Sequence, residues 1–238
     1  MTTGRVDIHS HLIPGMDDGC ANVEQTITCA RALVSAGYTH AFCTPHIWSQ
    51  IPENSPAAIA ERTAEVQARL DGAGIPLRVM PGGELCLHPQ ILTMPREGIV
   101  TYGMQGEACL FELWADELPE FFEPAVRYLK GLGLTLILAH PERMRATQGD
   151  PAVIDRLQGM GLLLQGNLQC FSDPTDSASR RTAERFLAEG RYFCLATDMH
   201  RPDTVSLRLQ GLRRAIELAG HRELARLTIE NPRTLLAE

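Results

Sequence analysis

Leu134-Thr135-Leu136-Ile137-Leu138-Ala139-His140-Pro141-Glu142-Arg143 is the stretch on which the fold turns. Its first six residues include five apolar ones and show no polar alternation. Such a run suits a strand buried on both faces, as in a parallel sheet covered by helices. It ends abruptly in a histidine, a proline and two charged residues. Parallel barrels carry their functional side chains at the C-terminal ends of strands, so His140 and Arg143 stand where chemistry is expected.

The same rhythm extends in both directions. Upstream, strands are expected at Val6–His9, Ala41–Thr44, Leu77–Met80 and Ala108–Leu113, and downstream at Leu162–Gln165 and Phe193–Ala196. Between them lie helical patterns at Val23–Ala36, closed by Gly37, and from the Ser55-Pro56 start to about Asp71, where serine serves as N-cap and proline as first helical residue. Further helices are expected at Phe121–Leu132, Val153–Met160, Ala178–Ala188 and Thr204–Leu218, with helical pattern again from Glu223. About seven strand–helix units follow one another without a linker, which predicts a single α/β domain over residues 1–238.

Strand ends recur as sites of metal-type ligands. Asp7-Ile8-His9-Ser10-His11 holds two histidines at i and i+2, which places both rings on one face of a strand. His46 follows Phe42-Cys43-Thr44, and Glu84 follows Gly82-Gly83, where small residues permit close approach. Glu112 sits inside Leu110-Phe111-Glu112-Leu113-Trp114, where a buried carboxylate needs a cation, either a metal or an arginine. Asp198 and His200 share one face after Leu195-Ala196-Thr197. Asp18 reads as a ligand or as a partner of one, whereas Asp17 of Asp17-Asp18-Gly19 reads as a turn residue. The set suits several divalent ions and hence a hydrolase, with Glu84 able to bridge two of them. Arg143 matches a phosphate bidentately, the alternative being an ion pair with Glu142. Arg201 adds charge at the rim or is simply solvated. His40, His88 and His221 are expected to be uninvolved.

Composition narrows the classes. The 238 residues carry a formal charge of -7, which argues against bulk capture of nucleic acid. Seven cysteines, odd in number and without CxxC spacing, form neither a disulfide framework nor a zinc finger. A reducing, cytoplasmic setting is therefore expected. Met1-Thr2-Thr3-Gly4-Arg5 lacks the apolar stretch of a signal peptide, and no run is long enough to enter a membrane. Helix surfaces leave the oligomeric state open.

Taken in order, Asp7-Ile8-His9-Ser10-His11, Asp17-Asp18-Gly19, Thr44-Pro45-His46, Gly82-Gly83-Glu84, Phe111-Glu112, Ala139-His140-Pro141-Glu142-Arg143 and Thr197-Asp198-Met199-His200 resemble the PHP (polymerase and histidinol phosphatase) superfamily. The form is similar to the bacterial CpsB/CapC-type protein-tyrosine phosphatases, over nearly the whole chain. The resemblance implies a distorted seven-stranded (β/α) TIM-like barrel, the PHP fold, with three divalent ions, manganese first and iron or zinc as alternatives. It implies one ion on His9, His11, Glu84 and Asp198, a second on Glu84, Glu112 and His140, and a third on Asp18, His46 and His200. Arg143 would bind phosphate, and Asp198 or His200 would assist proton transfer.

The implied substrate is a tyrosine-phosphorylated protein, such as a tyrosine kinase of capsule or exopolysaccharide export. A metal-activated hydroxide would attack phosphorus directly. In keeping with that, no cysteine has an arginine at the Cys-x5-Arg spacing of thiol phosphatases. The family's second substrate arginine has no clear counterpart, the choices being Arg201 and Arg208, and the loop Ile47-Trp48-Ser49-Gln50 lacks the expected Gly/Tyr character. Competing readings are a small-molecule phosphatase acting on histidinol phosphate or nucleotides, a metal-dependent amidohydrolase, and a non-catalytic phosphotyrosine-binding or regulatory domain.

Overall fold

The computed structural model describes residues 4–236. In chain order it contains β1 (Arg5–Asp7), α1 (Val23–Ser35), β2 (Tyr38–Cys43), β3 (His46–Ile47), α2 (Pro56–Gly72), β4 (Arg78–Pro81), β5 (Glu84–Cys86), β6 (Ala108–Glu112), α3 (Phe122–Gly131), β7 (Thr135–Ala139), α4 (Arg145–Gly149), α5 (Ala152–Gly159), β8 (Leu163–Asn167), α6 (Ala178–Ala188), β9 (Cys194–Ala196), α7 (Val205–Ala225) and α8 (Asn231–Arg233). Met1–Thr3 of the stretch read for a signal peptide lie outside the described residues, as do positions 237–238 of the expected domain.

Helix starts follow local chemistry. The Asn22 side chain accepts from Gln25 N at 3.0 Å, while Gln25 Oε1 accepts from Ala21 N at 2.9 Å, closing a reciprocal cap on α1. Ser55 Oγ accepts from Ala58 N, and Pro56 opens α2. α7 extends to Ala225, but Gly220 at φ +80° and ψ 164° divides it, in keeping with a helical pattern to Leu218 and another from Glu223.

All strand pairs among the described residues are parallel, in two sheets ordered β1-β2-β4 and β3-β5-β6-β7-β8-β9. With helices between the strands, the arrangement is a barrel-like α/β fold. The expected strands at 41–44 and 77–80 each have a second piece beyond an interruption. Thr44-Pro45 separates β2 from β3, because proline has no N–H for a ladder. Gly82-Gly83 separates β4 from β5; a Cβ on Gly83 would stand 2.8 Å from Val100 Cβ. Backbone bonds span both gaps, Gly82 N to Cys43 O at 2.9 Å and Glu84 N to Pro45 O at 3.0 Å. His46 and Glu84 are consequently strand residues in direct register, rather than loop residues after a strand.

The inner face of the strands changes character along its length. Val6, Ile8, Phe42, Ala108, Leu110, Ile137, Ala139, Cys194 and Ala196 form one buried apolar cluster, separate from the larger one beneath the helices. Alternate residues of a strand share a face. Ala108 and Leu110 therefore lead to Glu112 on β6, and Leu163 leads to Gln165 and Asn167 on β8. The core is apolar at the N-terminal end of the strands and polar at the C-terminal end.

Helix α7 packs closely on the turn at residues 168–172. A Cβ on Gly211 would lie 1.7 Å from Leu168 O. Alanine has the better helix propensity by about 1 kcal/mol, but this clash outweighs it. Gly211→Ala is expected to lower stability by about 1–3 kcal/mol in chemical denaturation. Gly72→Ala, with nothing within 4 Å of the added carbon, should not.

Candidate metal centre

Four donor atoms from the ends of three strands converge first. His9 Nε2 lies 3.2 Å from His11 Nε2, 3.2 Å from Glu84 Oε2 and 3.3 Å from Asp198 Oδ1. His11 Nε2 lies 3.5 Å from that Glu84 oxygen and 3.3 Å from that Asp198 oxygen. Donors at about 2.0–2.2 Å around one tetrahedral ion are separated by about 3.3–3.6 Å, so these spacings match a shared cation.

A second group adjoins it. His46 Nδ1 is 2.9 Å from Glu84 Oε2 and 3.2 Å from Glu112 Oε1, and His140 Nε2 is 2.9 Å from Glu84 Oε1. Glu84 thus faces both groups. In a third group, Asp18 Oδ1 lies 3.4 Å from His46 Nε2 and 3.5 Å from His200 Nε2. His46 touches the second group through Nδ1 and the third through Nε2. All nine predicted metal-type residues meet at one end of the strands: seven of them form three overlapping ligand-like clusters, and His140 and Asp198 adjoin these through Glu84 and through His9 and His11.

The chemistry of the pocket fits cations. His46 Nδ1, Glu84 Oε2 and Glu112 Oε2 are buried without hydrogen-bond partners. Burial alone would lift the carboxyls of Glu84 and Asp198, yet the facing imidazoles hold both well below the usual range. Burial would depress His11, but Asp17 and Asp198 push it up to about 10; for His46, Asp18, Glu112 and Glu84 overcome burial and push it to about 12. A field that holds protons on buried imidazoles is one that attracts metal ions in their place.

Residues behind the donors hold them in position. His9 Nδ1 lies 2.8 Å from Gln165 Oε1, which leaves Nε2 facing the cluster. Asp17 is more than a turn residue: its Oδ2 accepts from His11 Nδ1 at 2.7 Å and from His46 N at 3.0 Å, and Oδ1 accepts from Gly19 N. Asn167 Nδ2 donates to Asp198 Oδ2 at 2.6 Å, and Trp48 Nε1 donates to Glu112 Oε1 at 2.8 Å while its ring stacks on His46. Asp7 accepts from Thr197 N at 2.9 Å, fixing the chain just before Asp198.

Sequence patterning does not single out Gln165, Asn167 or Trp48 for such a role. For the first two a signal exists, since amide side chains at alternate positions interrupt an apolar strand face. Gln165→Leu removes the acceptor behind His9 and is expected to weaken metal affinity or activity about 10–100-fold. Metal titration followed by rate measurement at saturation separates those two effects.

His140 and Asp198 both adopt left-handed backbone, at φ +34° and +50°. For non-glycine residues this costs roughly 1–3 kcal/mol, and the surroundings hold them there. Asp198 N donates to His9 O at 2.8 Å, and its carbonyl accepts from Arg208 Nε at 3.0 Å and Nη2 at 2.7 Å.

The arginines then sort themselves. Glu142 is buried and accepts from Asn167 N and Tyr192 OH, so it does not neutralise Arg143. Arg143 instead reaches Asp198 Oδ2 at 3.3 Å with its side chain 42% exposed. Arg208 lines the cavity but is bound to the carbonyls of Asp198 and Thr204. Arg201 lies on the rim, 3.7 Å from Asp203. The cavity over the cluster measures about 350 Å³ and opens between Trp48, Trp114, Arg143 and Arg201. Lys130 donates to Met160 O, away from the cluster, so a carboxylated bridging lysine of the amidohydrolase kind is not available. No helix among the described residues is long and apolar enough to cross a membrane.

Comparison with known proteins gives consistent relatives. The chain is 29% identical over 236 residues to the tyrosine-protein phosphatase YwqE of Bacillus subtilis, covering 97% of this chain and 91% of that protein. It is 24% identical over 204 residues to tyrosine-protein phosphatase CpsB of Streptococcus agalactiae, covering 83% and 84%. Among solved structures, a chain from the crystal structures of YwqE and Streptococcus pneumoniae CpsB, described as unique metal-dependent tyrosine phosphatases, superposes with a TM-score of 0.87 at 27% identity, covering 97% and 94%. A 2-pyrone-4,6-dicarboxylic acid hydrolase fold from Pseudomonas putida, at 16% identity and TM-score 0.62, shares the fold alone. The family described as capsular polysaccharide synthesis, CpsB/CapC, matches residues 5–237, and the chain belongs to it.

Proposed function

We propose that this chain is a metal-dependent protein-tyrosine phosphatase. The observation that carries the reading is the His9, His11, Glu84 and Asp198 donor set at 3.2–3.5 Å spacing, with the Arg143 guanidinium beside it. The relatives named tyrosine phosphatases, matched along most of their length, support it. The fold is counted as one domain, a seven-stranded barrel in which β2 with β3 and β4 with β5 each form one interrupted strand. The bonds from Asp198 N to His9 O and from His11 N to Met199 O would close it.

Three divalent ions are proposed, manganese first. His9, His11, Glu84 and Asp198 would hold one, Glu84, Glu112 and His140 a second, and Asp18, His46 and His200 a third. Oxygen and imidazole donors suit manganese, iron or zinc. Bound there, such ions supply Lewis acidity and a water of lowered pKa. The chain's own part is to orient and to exclude. Gln165 and Asp17 fix the rings of His9 and His11, Asn167 fixes Asp198, and Arg143 holds the phosphoryl oxygens as charge develops. A tyrosine leaving group, with a pKa of about 10, needs less protonation than an alkoxide, so no side chain held as a ligand has to supply the proton.

The capsular family favours a tyrosine-phosphorylated protein as substrate, with a bacterial tyrosine kinase of polysaccharide export as the first partner to test. A cytoplasmic location is proposed with it. The test is phosphate release from a phosphotyrosine peptide by manganese-loaded and chelator-stripped protein, with histidinol phosphate and a nucleotide alongside. Metal-dependent turnover of the peptide is expected. Turnover of only the small esters would replace this reading with that of a small-molecule phosphatase.

A further inference from the structure

We propose that the loop after β6 provides an aryl subsite, with the Trp114 indole as the platform on which the substrate's aromatic ring stacks. The inference rests on the phosphatase reading and extends it to how one class of ester is selected.

Trp114 follows Glu112 by two residues, so the strand that presents a ligand carboxylate also sets the position of this ring. Its side chain packs on no core: the residue is 63% exposed, more than any other large apolar residue in the described chain. Exposed aromatic area of this size is where burial by a ligand gains most. The other tryptophan at the mouth is already occupied, since Trp48 donates its N–H to Glu112 and stacks on His46 with ring centroids 4.1 Å apart.

Position links the indole to the phosphoryl site. The Arg143 guanidinium carbon stands 5.8 Å from the Trp114 ring centroid, within cation–π reach. An ester whose phosphoryl group is held by Arg143 must place its leaving group close by, one ester oxygen away. Trp114, His140 and Arg143 line both the cavity above the ligand cluster and a neighbouring groove of about 530 Å³. The two spaces therefore adjoin at the indole. The groove is walled by Leu113 and Met144 and bounded by the Asp116–Arg145 ion pair. A phosphorylated tyrosine in a peptide fits this order: phosphoryl group at Arg143, ring on Trp114, flanking chain in the groove. A phosphoserine offers no ring to stack on the indole.

Two peptides of one sequence, differing only in phosphotyrosine or phosphoserine, test the subsite with manganese-loaded Trp114→Ala and Trp114→Phe. Stacking of this kind is worth about tenfold in binding. Trp114→Ala should therefore lower kcat/KM for the phosphotyrosine peptide about tenfold, chiefly through KM, and alter the phosphoserine rate less than about twofold. Trp114→Phe should recover most of the loss. Equal losses on both peptides, or no loss on either, would overturn the subsite while leaving the phosphatase reading in place. A second measurement does not depend on turnover: affinity for a labelled peptide carrying a non-hydrolysable phosphonate mimic of phosphotyrosine. About tenfold weaker binding by Trp114→Ala supports the subsite even if the wild-type protein hydrolyses neither ester, and unchanged binding rejects it.

Discussion

Glu84→Gln is expected to reduce metal-dependent turnover by more than about a thousandfold, beyond the roughly 10²–10³ that loss of a single oxyanion-hole donor costs. Glu84 is the one carboxylate whose oxygens reach His9, His11, His46 and His140, so it joins two ligand groups. Glutamine keeps the shape but brings an amide N–H₂ against imidazole nitrogens and removes the negative charge that draws cations in. Both groups should lose affinity together, and metal content measured by elemental analysis should fall along with the rate. The fold should persist, because the inner face below Glu84 is apolar and packs without it. A variant that keeps its full metal complement and a tenth or more of the activity would remove Glu84 from the bridging position. Gln165→Leu provides the contrast: it should weaken metal binding by a smaller factor and recover with added metal.

The candidate ligand set is legible in the sequence because most of its members carry a local signal. His9 and His11 stand at i and i+2, and His46, Glu84, Glu112, His140 and Asp198 each break an apolar run where a strand ends. The residues behind them carry weaker signals. Asp17 lies in a turn and does accept from Gly19 N; only the return of the chain against His11 and His46 gives it a second role. Gln165 and Asn167 are neutral and inconspicuous in sequence, and their importance depends on β8 pairing with β9 and turning these side chains toward His9 and Asp198. The interrupted strands are hidden for a related reason. Pro45 and Gly82-Gly83 are punctuation in any local reading, yet backbone bonds to Cys43 and Pro45 carry the ladder across both. The arginines can be ranked only in three dimensions, where Arg208 proves to be bound to carbonyls, and Glu142, the sequence neighbour poised to neutralise Arg143, is turned toward Asn167 and Tyr192.

That ranking yields the second large effect. Arg143→Lys is expected to lower kcat/KM on the phosphotyrosine peptide by about 10²–10³-fold with metal content unchanged. Lysine keeps the charge, so a mere electrostatic role would survive the change. The guanidinium contributes a planar fork that can hold two phosphoryl oxygens at once, which an ammonium cannot copy. Its surroundings suit a phosphate clamp, since Arg143 is half-exposed, borders Asp198 at 3.3 Å and lies over Trp114. Burial alone would depress its pKa, but Asp198 raises it, so the charge is secure throughout any working pH range. If the clamp tightens as the transition state forms, kcat and kcat/KM should fall together; a rise in KM alone would mean that Arg143 only captures substrate. Arg201 is the control within the same rim. It is more than half exposed and faces Asp203, so Arg201→Ala should change kcat/KM by no more than about threefold, as for exposed ion pairs worth about 0–1 kcal/mol. A large loss at Arg201 with little at Arg143 would exchange their roles and move the phosphate clamp from the end of β7 to the loop after β9.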